Sequence, residues 1–130
     1  PDRRAHEAQV DAALREAGAE WVCLAGYMRL LSPDFVARWP RRILNIHPSL
    51  LPAFPGLDAQ EQALAHGVKV TGCTVHVATE EVDAGPILAQ EAVTVEPDDT
   101  LESLHERIKA VERRIYIRTI SEILERGSVQ

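Results

Sequence analysis

The first half of the chain alternates helical patterns with short apolar runs, and this alternation constrains the fold more than any other feature. Residues 2–17 carry a weak apolar stripe among charged residues and predict a helix. The segments 21–26 (WVCLAG) and 42–48 (RILNIHP) are the short apolar runs expected of strands buried on both faces. Between them, a Ser-Pro-Asp start predicts a helix over 33–39. Helices placed between buried strands indicate an α/β domain with a largely parallel sheet.

The second half has a different pattern. Residues 58–66 predict a short helix that ends at a glycine. The segments 70–79 (VTGCTVHVAT) and 86–95 (PILAQEAVTV) predict two strands joined by a tight turn, EEVDAGP. Two strands joined in this way indicate antiparallel or mixed pairing at one side of the sheet. A capped, amphipathic helix is predicted over 100–125.

Length and charge exclude several classes of protein. The 130 residues predict a single domain, 1–130, and the net charge of −6, without a long lysine or arginine run, argues against a nucleic-acid partner. The longest apolar run, 21–28, is too short to span a bilayer, and no leader pattern precedes it, so we expect a cytoplasmic protein with no membrane contact. Cys23 and Cys73 show no metal-ligand spacing and are interpreted as reduced core thiols.

Two polar residues interrupt the predicted strand 42–48. Asn45 and His47 are two positions apart, so on a strand their side chains share a face. At the carboxyl end of a strand in an α/β sheet, that face looks into the crevice where ligands bind. An amide beside an imidazole can donate to a developing oxyanion and handle a proton, although such a pair is more often a satisfied strand end.

Asp83 lies in the turn EEVDAGP and has two interpretations. Taken alone, it fits ordinary turn chemistry. The functional interpretation is a carboxylate that orients the imidazole of His47 and stabilises its cationic form.

Taken together, four segments resemble the folate-dependent formyltransferases in order and spacing: LAGYMRLLSP (24–33), NIHPSLLPAFPG (45–56), GVKVTGCTVH (67–76) and DAGPILAQ (83–90). The resemblance covers essentially the whole chain and is closest to the members that formylate glycinamide ribonucleotide in purine biosynthesis. It implies a Rossmann-like α/β fold with a mostly parallel sheet and helices on both faces. It also implies that Asn45, His47 and Asp83 are catalytic.

The same resemblance implies the substrates and the residues that bind them. The formyl donor is 10-formyltetrahydrofolate and the acceptor is the amine of glycinamide ribonucleotide, with no metal and a homodimer left open. The residues implied at the folate are Met28, Arg29, Leu30, Leu31, Val36, Asn45, Thr79, Glu80, Glu81, Val82 and Asp83. Those implied at the ribonucleotide are Arg3, Gly26, Met28, Ile46, His47, Pro48 and Glu112. Taken singly, the apolar members fit core packing equally well, and Glu112 fits a solvated helix carboxylate.

The sequence departs from the family pattern in two places. The phosphate-binding turn of the family, rich in glycine, serine and asparagine, has no counterpart in these residues. Lys109 stands where relatives often carry a glutamine. We therefore expect the chain to correspond to the C-terminal portion of a formyltransferase domain that is incomplete at its N-terminus. We expect weak or no formyl transfer from it alone.

Other activities of the same superfamily fit less well. Deformylases that hydrolyse formyl-tetrahydrofolate typically read NIHHSFLPAF where this chain reads NIHPSLLPAF. Methionyl-tRNA formyltransferases typically have an SLLPRWRGAAP-like loop in place of SLLPAFPGLDA, and sugar-amine formyltransferases differ in that loop too. An inactive folate-binding fragment is the alternative outside enzymology, but pure binding needs none of Asn45, His47 and Asp83.

Overall fold

The computed structural model describes residues 3–24, 32–79, 81 and 83–127. The helices and strands in these ranges coincide, to within a few residues, with those predicted above. In chain order they are α1 (Arg3–Glu16), β1 (Val22–Cys23), α2 (Pro33–Arg38), β2 (Ile43–His47), α3 (Ala59–His66), β3 (Val70–Val77), β4 (Ile87–Thr94) and α4 (Leu101–Arg126).

The strands form one sheet in the order β1–β2–β3–β4. β1 runs parallel to β2, whereas β3 runs antiparallel to both of its neighbours. This corrects the expectation of a mostly parallel sheet for the described strands, which are mixed. The turn between β3 and β4 is too short for the crossover that parallel neighbours need, so that pair must be antiparallel.

α4 packs across one face of the sheet through a stripe of buried side chains. The stripe contacts Cys73 and Val75 of β3, and further along the helix Leu44 of β2. Each fully buried Ile or Leu stabilises the fold by about 1.5–3 kcal/mol, so this interface holds the helix in place. The buried side chains of the stripe are Leu104, Ile108, Ile115, Thr119 and Ile123.

α1 and α2 lie on the opposite face, so helices on both faces are confirmed. Trp39, just after α2, packs against Ile43 of β2. Two buried carboxylates of α1 join the two helices. Glu7 accepts hydrogen bonds from the backbone N–H and the hydroxyl of Ser32, the N-cap of α2, and Asp11 accepts one from the indole N–H of Trp39 at 2.8 Å. Because burying an unpaired carboxylate is costly, these partners fix how α1 sits on α2.

An irregular loop, residues 48–58, connects β2 to α3, and the neighbouring strands hold it. The hydroxyl of Thr74 on β3 donates to the carbonyl of Ser49 at 2.7 Å and accepts from the backbone N–H of Leu51 at 3.1 Å. The amide of Gln90 on β4 donates to that hydroxyl and to the Leu51 carbonyl. The sheet therefore determines where this loop starts. Within the described ranges, none of the helices is long and apolar enough to cross a membrane.

Candidate active site

Polar side chains occupy one face of the sheet near the end of β2. Asn45 and His47 share this face because they are two residues apart on the strand. Across the antiparallel ladder their partners are His76 and Thr74 of β3, and directly opposite residues project to the same side. The alternate residues of both strands face the core beneath α4. A polar floor is thus built from two strands, of which sequence reasoning identified only one.

Asp83 reaches this floor from the turn between β3 and β4. Its Oδ2 lies 3.4 Å from Nδ1 of His47 and accepts a 2.7 Å hydrogen bond from the backbone N–H of Gly56. The turn lies directly against β3 at Gly85, where a Cβ atom would be 1.6 Å from the carbonyl oxygen of Val77. Only glycine allows this approach, so the DAGP sequence delivers the carboxylate to the histidine.

His47 is held from both sides. Its Nε2 lies 2.8 Å from the carbonyl oxygen of Phe54, and because a carbonyl only accepts, Nε2 carries the hydrogen. Its Nδ1 faces the carboxylate of Asp83, and the two side chains are only 6% and 10% exposed. Both ring nitrogens therefore face oxygen acceptors, and the imidazolium is the form that carries a hydrogen on each. Phe54 and Asp83 both have left-handed backbones, with φ of 49° and 50°, a strain typical of functional sites.

A second histidine, His76, lies on the other side of the same carboxylate. Its Nε2 is 3.8 Å from Oδ1 of Asp83 and has no hydrogen-bond partner among the described residues. Burial lowers the pKa of His76, and the carbonyl of Val77 and the charge of Asp83 offset this only in part. Sequence reasoning missed His76. The alternation in TGCTVHV placed it on one face with Thr74, but its position opposite Asn45 depends on strand register.

Asn45 contributes an amide that the protein leaves available. Its side chain is half-buried beside His47, and its amide makes no hydrogen bond to another described residue. A half-buried amide with unused donors, next to a histidine, can donate to an oxygen of a bound molecule.

The residues expected at the folate are only partly within the described ranges. Val36 is half-buried in the cluster of α2 with Ile43, two residues before Asn45 on the same face of β2. Thr79 and Glu81 are exposed just beyond β3, where the hydroxyl of Thr79 donates to the Glu81 carbonyl. The remaining expected residues lie outside the described ranges: Met28, Arg29, Leu30, Leu31, Glu80 and Val82.

The residues expected at the ribonucleotide are more scattered. Pro48 directly follows His47, whereas the side chain of Ile46 packs into the core under α4, so only its backbone could reach a molecule beside His47. Glu112 is half-buried on α4, where burial raises its pKa and Lys109 is the nearby cation. No hydrogen bond or ion pair in the described part of the chain joins it to Asp83. Gly26 and the side chain of Arg3 lie outside the described residues.

Two candidate nucleophiles in the described part of the chain, Cys73 and Ser49, are unsuited to covalent catalysis. Burial raises the pKa of the Cys73 thiol to about 12, so it carries no thiolate at neutral pH. The hydroxyl of Ser49 donates to the carbonyl of Ala53 in its own loop. Among the described residues, no three His, Cys, Asp or Glu side chains are grouped as a metal site.

With this geometry established, comparison with known proteins identifies the family. Residues 1–120 match the family model described as formyl transferase. The chain belongs to this family. A phosphoribosylglycinamide formyltransferase from Bacillus halodurans has a solved structure that superposes with a TM-score of 0.93 at 51% identity, covering 98% of this chain and 66% of that one. The α/β formyltransferase fold is therefore confirmed.

Sequence relatives agree with this assignment. A phosphoribosylglycinamide formyltransferase from Mycobacterium tuberculosis is 46% identical over 127 residues, which is 98% of this chain and 59% of the relative. The trifunctional purine biosynthetic protein adenosine-3 of Bos taurus is 53% identical over 115 residues, 88% of this chain and 11% of the relative. This formyl transferase chain therefore spans about three fifths of the shorter of these two relatives.

A hydrolase also shares the formyl transferase fold. The solved formyltetrahydrofolate deformylase from Pseudomonas syringae superposes with a TM-score of 0.86 at 36% identity, covering 92% of this chain and 40% of that one. Its identity to this chain is lower than that of the Bacillus halodurans transferase.

Proposed function

We propose that the protein transfers a formyl group from 10-formyltetrahydrofolate to the amine of glycinamide ribonucleotide in purine biosynthesis. The observation that carries this proposal is the convergence of Asp83 on His47, beside the available amide of Asn45. The names of the most similar relatives, which describe phosphoribosylglycinamide formyltransferases, support the choice of substrates.

The chemistry needs donors at the formyl oxygen. Attack of the amine on the formyl carbon turns the carbonyl oxygen into an oxyanion, which hydrogen-bond donors stabilise in a site that excludes water. Asn45 can donate through its amide, and His47 through Nε2, which already carries a hydrogen. In the described structure that hydrogen points to the carbonyl of Phe54 at 2.8 Å. The oxyanion would take the place of this carbonyl as the acceptor.

Asp83 completes the arrangement from the other side of His47. Its negative charge near Nδ1 stabilises the imidazolium, which makes His47 the stronger donor. As a carboxylate at the site, Asp83 can also assist proton transfer, because the proton that leaves the attacking amine must reach the folate nitrogen. The proposed transfer is direct from donor to acceptor, which agrees with the raised pKa of the Cys73 thiol and the engagement of the Ser49 hydroxyl within its own loop.

Hydrolysis of formyl-tetrahydrofolate is the second candidate function, favoured by the fold shared with the Pseudomonas syringae deformylase. The same donors would stabilise the same oxyanion, with water as the attacking group. The sequence after His47 argues against it, because this chain has Pro48 where deformylases typically carry a second histidine.

We further propose that the protein works in the cytoplasm on these small molecules. We also propose that it forms homodimers, which sedimentation at several concentrations would test.

A chimera offers the most direct test, because we expect weak or no turnover from these 130 residues alone. The 130 residues replace the matching 127-residue segment of the Mycobacterium tuberculosis relative. We then incubate the chimera with formyl-folate, with and without glycinamide ribonucleotide. Formylated ribonucleotide that forms only when both are present supports the proposal.

The other outcomes are equally informative. Release of formate without ribonucleotide would show a hydrolase, and binding of formyl-folate without either reaction would show a folate-binding module. A chimera carrying Asn45→Ala together with His47→Ala is the control for turnover contributed by contaminating enzyme. The unaltered relative sets the reference rate.

A further inference from the structure

His76 is the buried polar group that the chemistry above leaves unused. It is 2% exposed, lies directly opposite Asn45 in the β2–β3 ladder, and faces the free oxygen of Asp83. An irregularity in the β3–β4 pairing falls between Val75 and His76, and such bulges commonly re-aim a side chain next to an active site. A histidine buried this deeply without a partner for one nitrogen needs an explanation.

The hydrogen positions of His76 follow from its neighbours. Its Nδ1 lies 3.2 Å from the carbonyl of Val77, so Nδ1 is the nitrogen that carries the hydrogen. In the uncharged ring, Nε2 then has only a lone pair. Burial opposes a second proton, so the ring stays neutral. Among the described residues, the titratable groups that act on it are Asp83 and His47.

Two acceptors thus face each other across the floor of the site. Nε2 of His76 and Oδ1 of Asp83 are 3.8 Å apart, too far for a direct hydrogen bond, and none of the hydrogen bonds between described residues reaches Oδ1. One water molecule can span a separation of this size and donate one hydrogen to each of the two atoms.

We propose that His76 is a positioning residue of the formyl-transfer site, whose Nε2 shares a bridging water with Oδ1 of Asp83 and so fixes the rotation of that carboxylate. Oδ2 is thereby aimed at His47 and at the backbone N–H of Gly56. Without the bridge the carboxylate can rotate about its terminal bond, and His47 loses a fixed partner. This inference rests on the proposed function but concerns a residue to which that function assigns no step.

Two substitutions of His76 distinguish the loss of its hydrogen-bond acceptor from the loss of its side-chain packing. His76→Gln keeps an acceptor oxygen near the place of Nε2, whereas His76→Phe keeps the ring and removes the acceptor. In the chimera we expect His76→Phe to lower kcat about tenfold or more, with the KM for formyl-folate within about threefold. His76→Gln should retain most of the kcat of the unsubstituted chimera. Equal losses in both variants, or no loss in His76→Phe, would overturn the proposal.

A spectroscopic measurement keeps the inference separate from the activity. In the 130-residue protein labelled with ¹⁵N-histidine, His76 should be neutral at neutral pH, with its hydrogen on Nδ1, as expected for a deeply buried ring. The ¹⁵N chemical shift of Nδ1 in His47, the nitrogen that faces Asp83, should change in His76→Phe and stay in place in His76→Gln.

The spectra also distinguish a failure of the proposed function from a failure of the positioning role of His76. If the chimera shows no turnover but these spectra are as expected, the proposed function fails while the pairing of His76 with Asp83 stands. If His76 instead carries its hydrogen on Nε2, or if the ¹⁵N chemical shift of Nδ1 in His47 is the same in all three proteins, the positioning role is wrong even in an active enzyme.

Discussion

At the scale of single residues, Asp83 joins the separate parts of the candidate site. One carboxylate oxygen meets His47 and the loop at Gly56, and the other faces His76. Its left-handed backbone, with φ of 50°, is a conformation that Asp and Asn adopt more readily than other residues with a side chain. Replacement by asparagine should therefore keep the turn while it removes the charge.

We expect Asp83→Asn in the chimera to lower turnover by about 10²- to 10⁴-fold and to change the KM for formyl-folate by less than about threefold. Asp58→Asn is the matched control, since Asp58 is also left-handed, with φ of 59°, and makes no capping hydrogen bond through its side chain. Steady-state kinetics compare the two. Parallel losses in turnover and affinity at Asp83 would mean that it only shapes the turn.

Two threonines of β3 give opposite expectations for the same substitution. Thr74→Val removes the hydroxyl that joins Ser49, Leu51 and Gln90, and should destabilise the protein by about 1–3 kcal/mol. The hydroxyl of Thr71 is buried and has no partner among the described residues, so Thr71→Val should be neutral or stabilising by up to about 1 kcal/mol. Urea unfolding measures both. A similar decrease in the free energy of unfolding in both variants would contradict the hydrogen-bond explanation.

At the scale of elements, buried carboxylates on α1 determine how α1 packs against α2. Burial raises the pKa of Asp11, but the hydrogen bond from Trp39, the charge of Arg15 and the hydrogen bonds from Arg38 and Arg15 outweigh it and hold that pKa below its usual range. The two arginine side chains are more than half exposed, so their ion pairs contribute little. The hydrogen bond from the indole N–H of Trp39 to Asp11 is therefore the interaction that stabilises the packing of α1 on α2.

We expect Asp11→Ala to lower the free energy of unfolding by about 2 kcal/mol, because it leaves the buried indole N–H of Trp39 without an acceptor. Asp11→Asn keeps an acceptor and should lose less. Glu16→Ala, an exposed position on the same helix, should change stability by less than about 0.5 kcal/mol. Chemical unfolding followed by tryptophan fluorescence provides the comparison, and an Asp11→Ala protein as stable as the control would contradict it.

At the scale of the whole molecule, side chains with shifted pKa values make stability depend on pH. Hydrogen bonds from Arg107, and then from Ser103, lower the pKa of Asp99, and the pKa of Asp11 is lowered as well. A carboxyl group whose pKa is lower in the folded than in the unfolded state stabilises the fold at pH values above its unfolded-state pKa. That stabilisation is lost as the pH falls through its folded-state pKa. The lowered pKa of His76 has the same sign, because the unfolded chain takes up its proton first.

We therefore expect the urea midpoint to decrease in two steps on acidification. The first begins as pH falls below about 6.5, where an unfolded histidine binds its proton, and the second begins below about 4, where unfolded aspartates do. His76→Gln should remove much of the first step, and Asp99→Asn should reduce the second. Midpoints measured from pH 8 to pH 3 test this, and a profile that is flat down to pH 4 would show that His76 is readily protonated in the fold.

Local patterns in the chain anticipated every described helix and strand. α4 illustrates why: its apolar stripe, its Thr100 cap and its closing glycine are all local signals. The antiparallel pairing of β3 with β4 was predicted from the turn that joins them, whereas the antiparallel pairing of β3 with β2 was not, because it depends on how the connection after β2 returns to the sheet. At the site, Asn45 and His47 could be paired from their two-residue spacing, whereas His76 could not be added, since strand register is a long-range property.

The sequence by itself determined the elements, the face shared by Asn45 and His47, and the family, because these depend on spacing and motif order along the chain. Only the tertiary structure decided that Asp83 lies between two histidines, that the Phe54 carbonyl meets His47, and that Thr74 holds the loop. The contacts of Asp83 with His47 and of Thr74 with Ser49 join residues far apart in the chain, and the close approach of the turn at Gly85 and the register of β3 allow them. The contact of Phe54 with His47 is shorter in sequence, but it depends on the irregular course of the loop 48–58. None of these can be derived from local pattern.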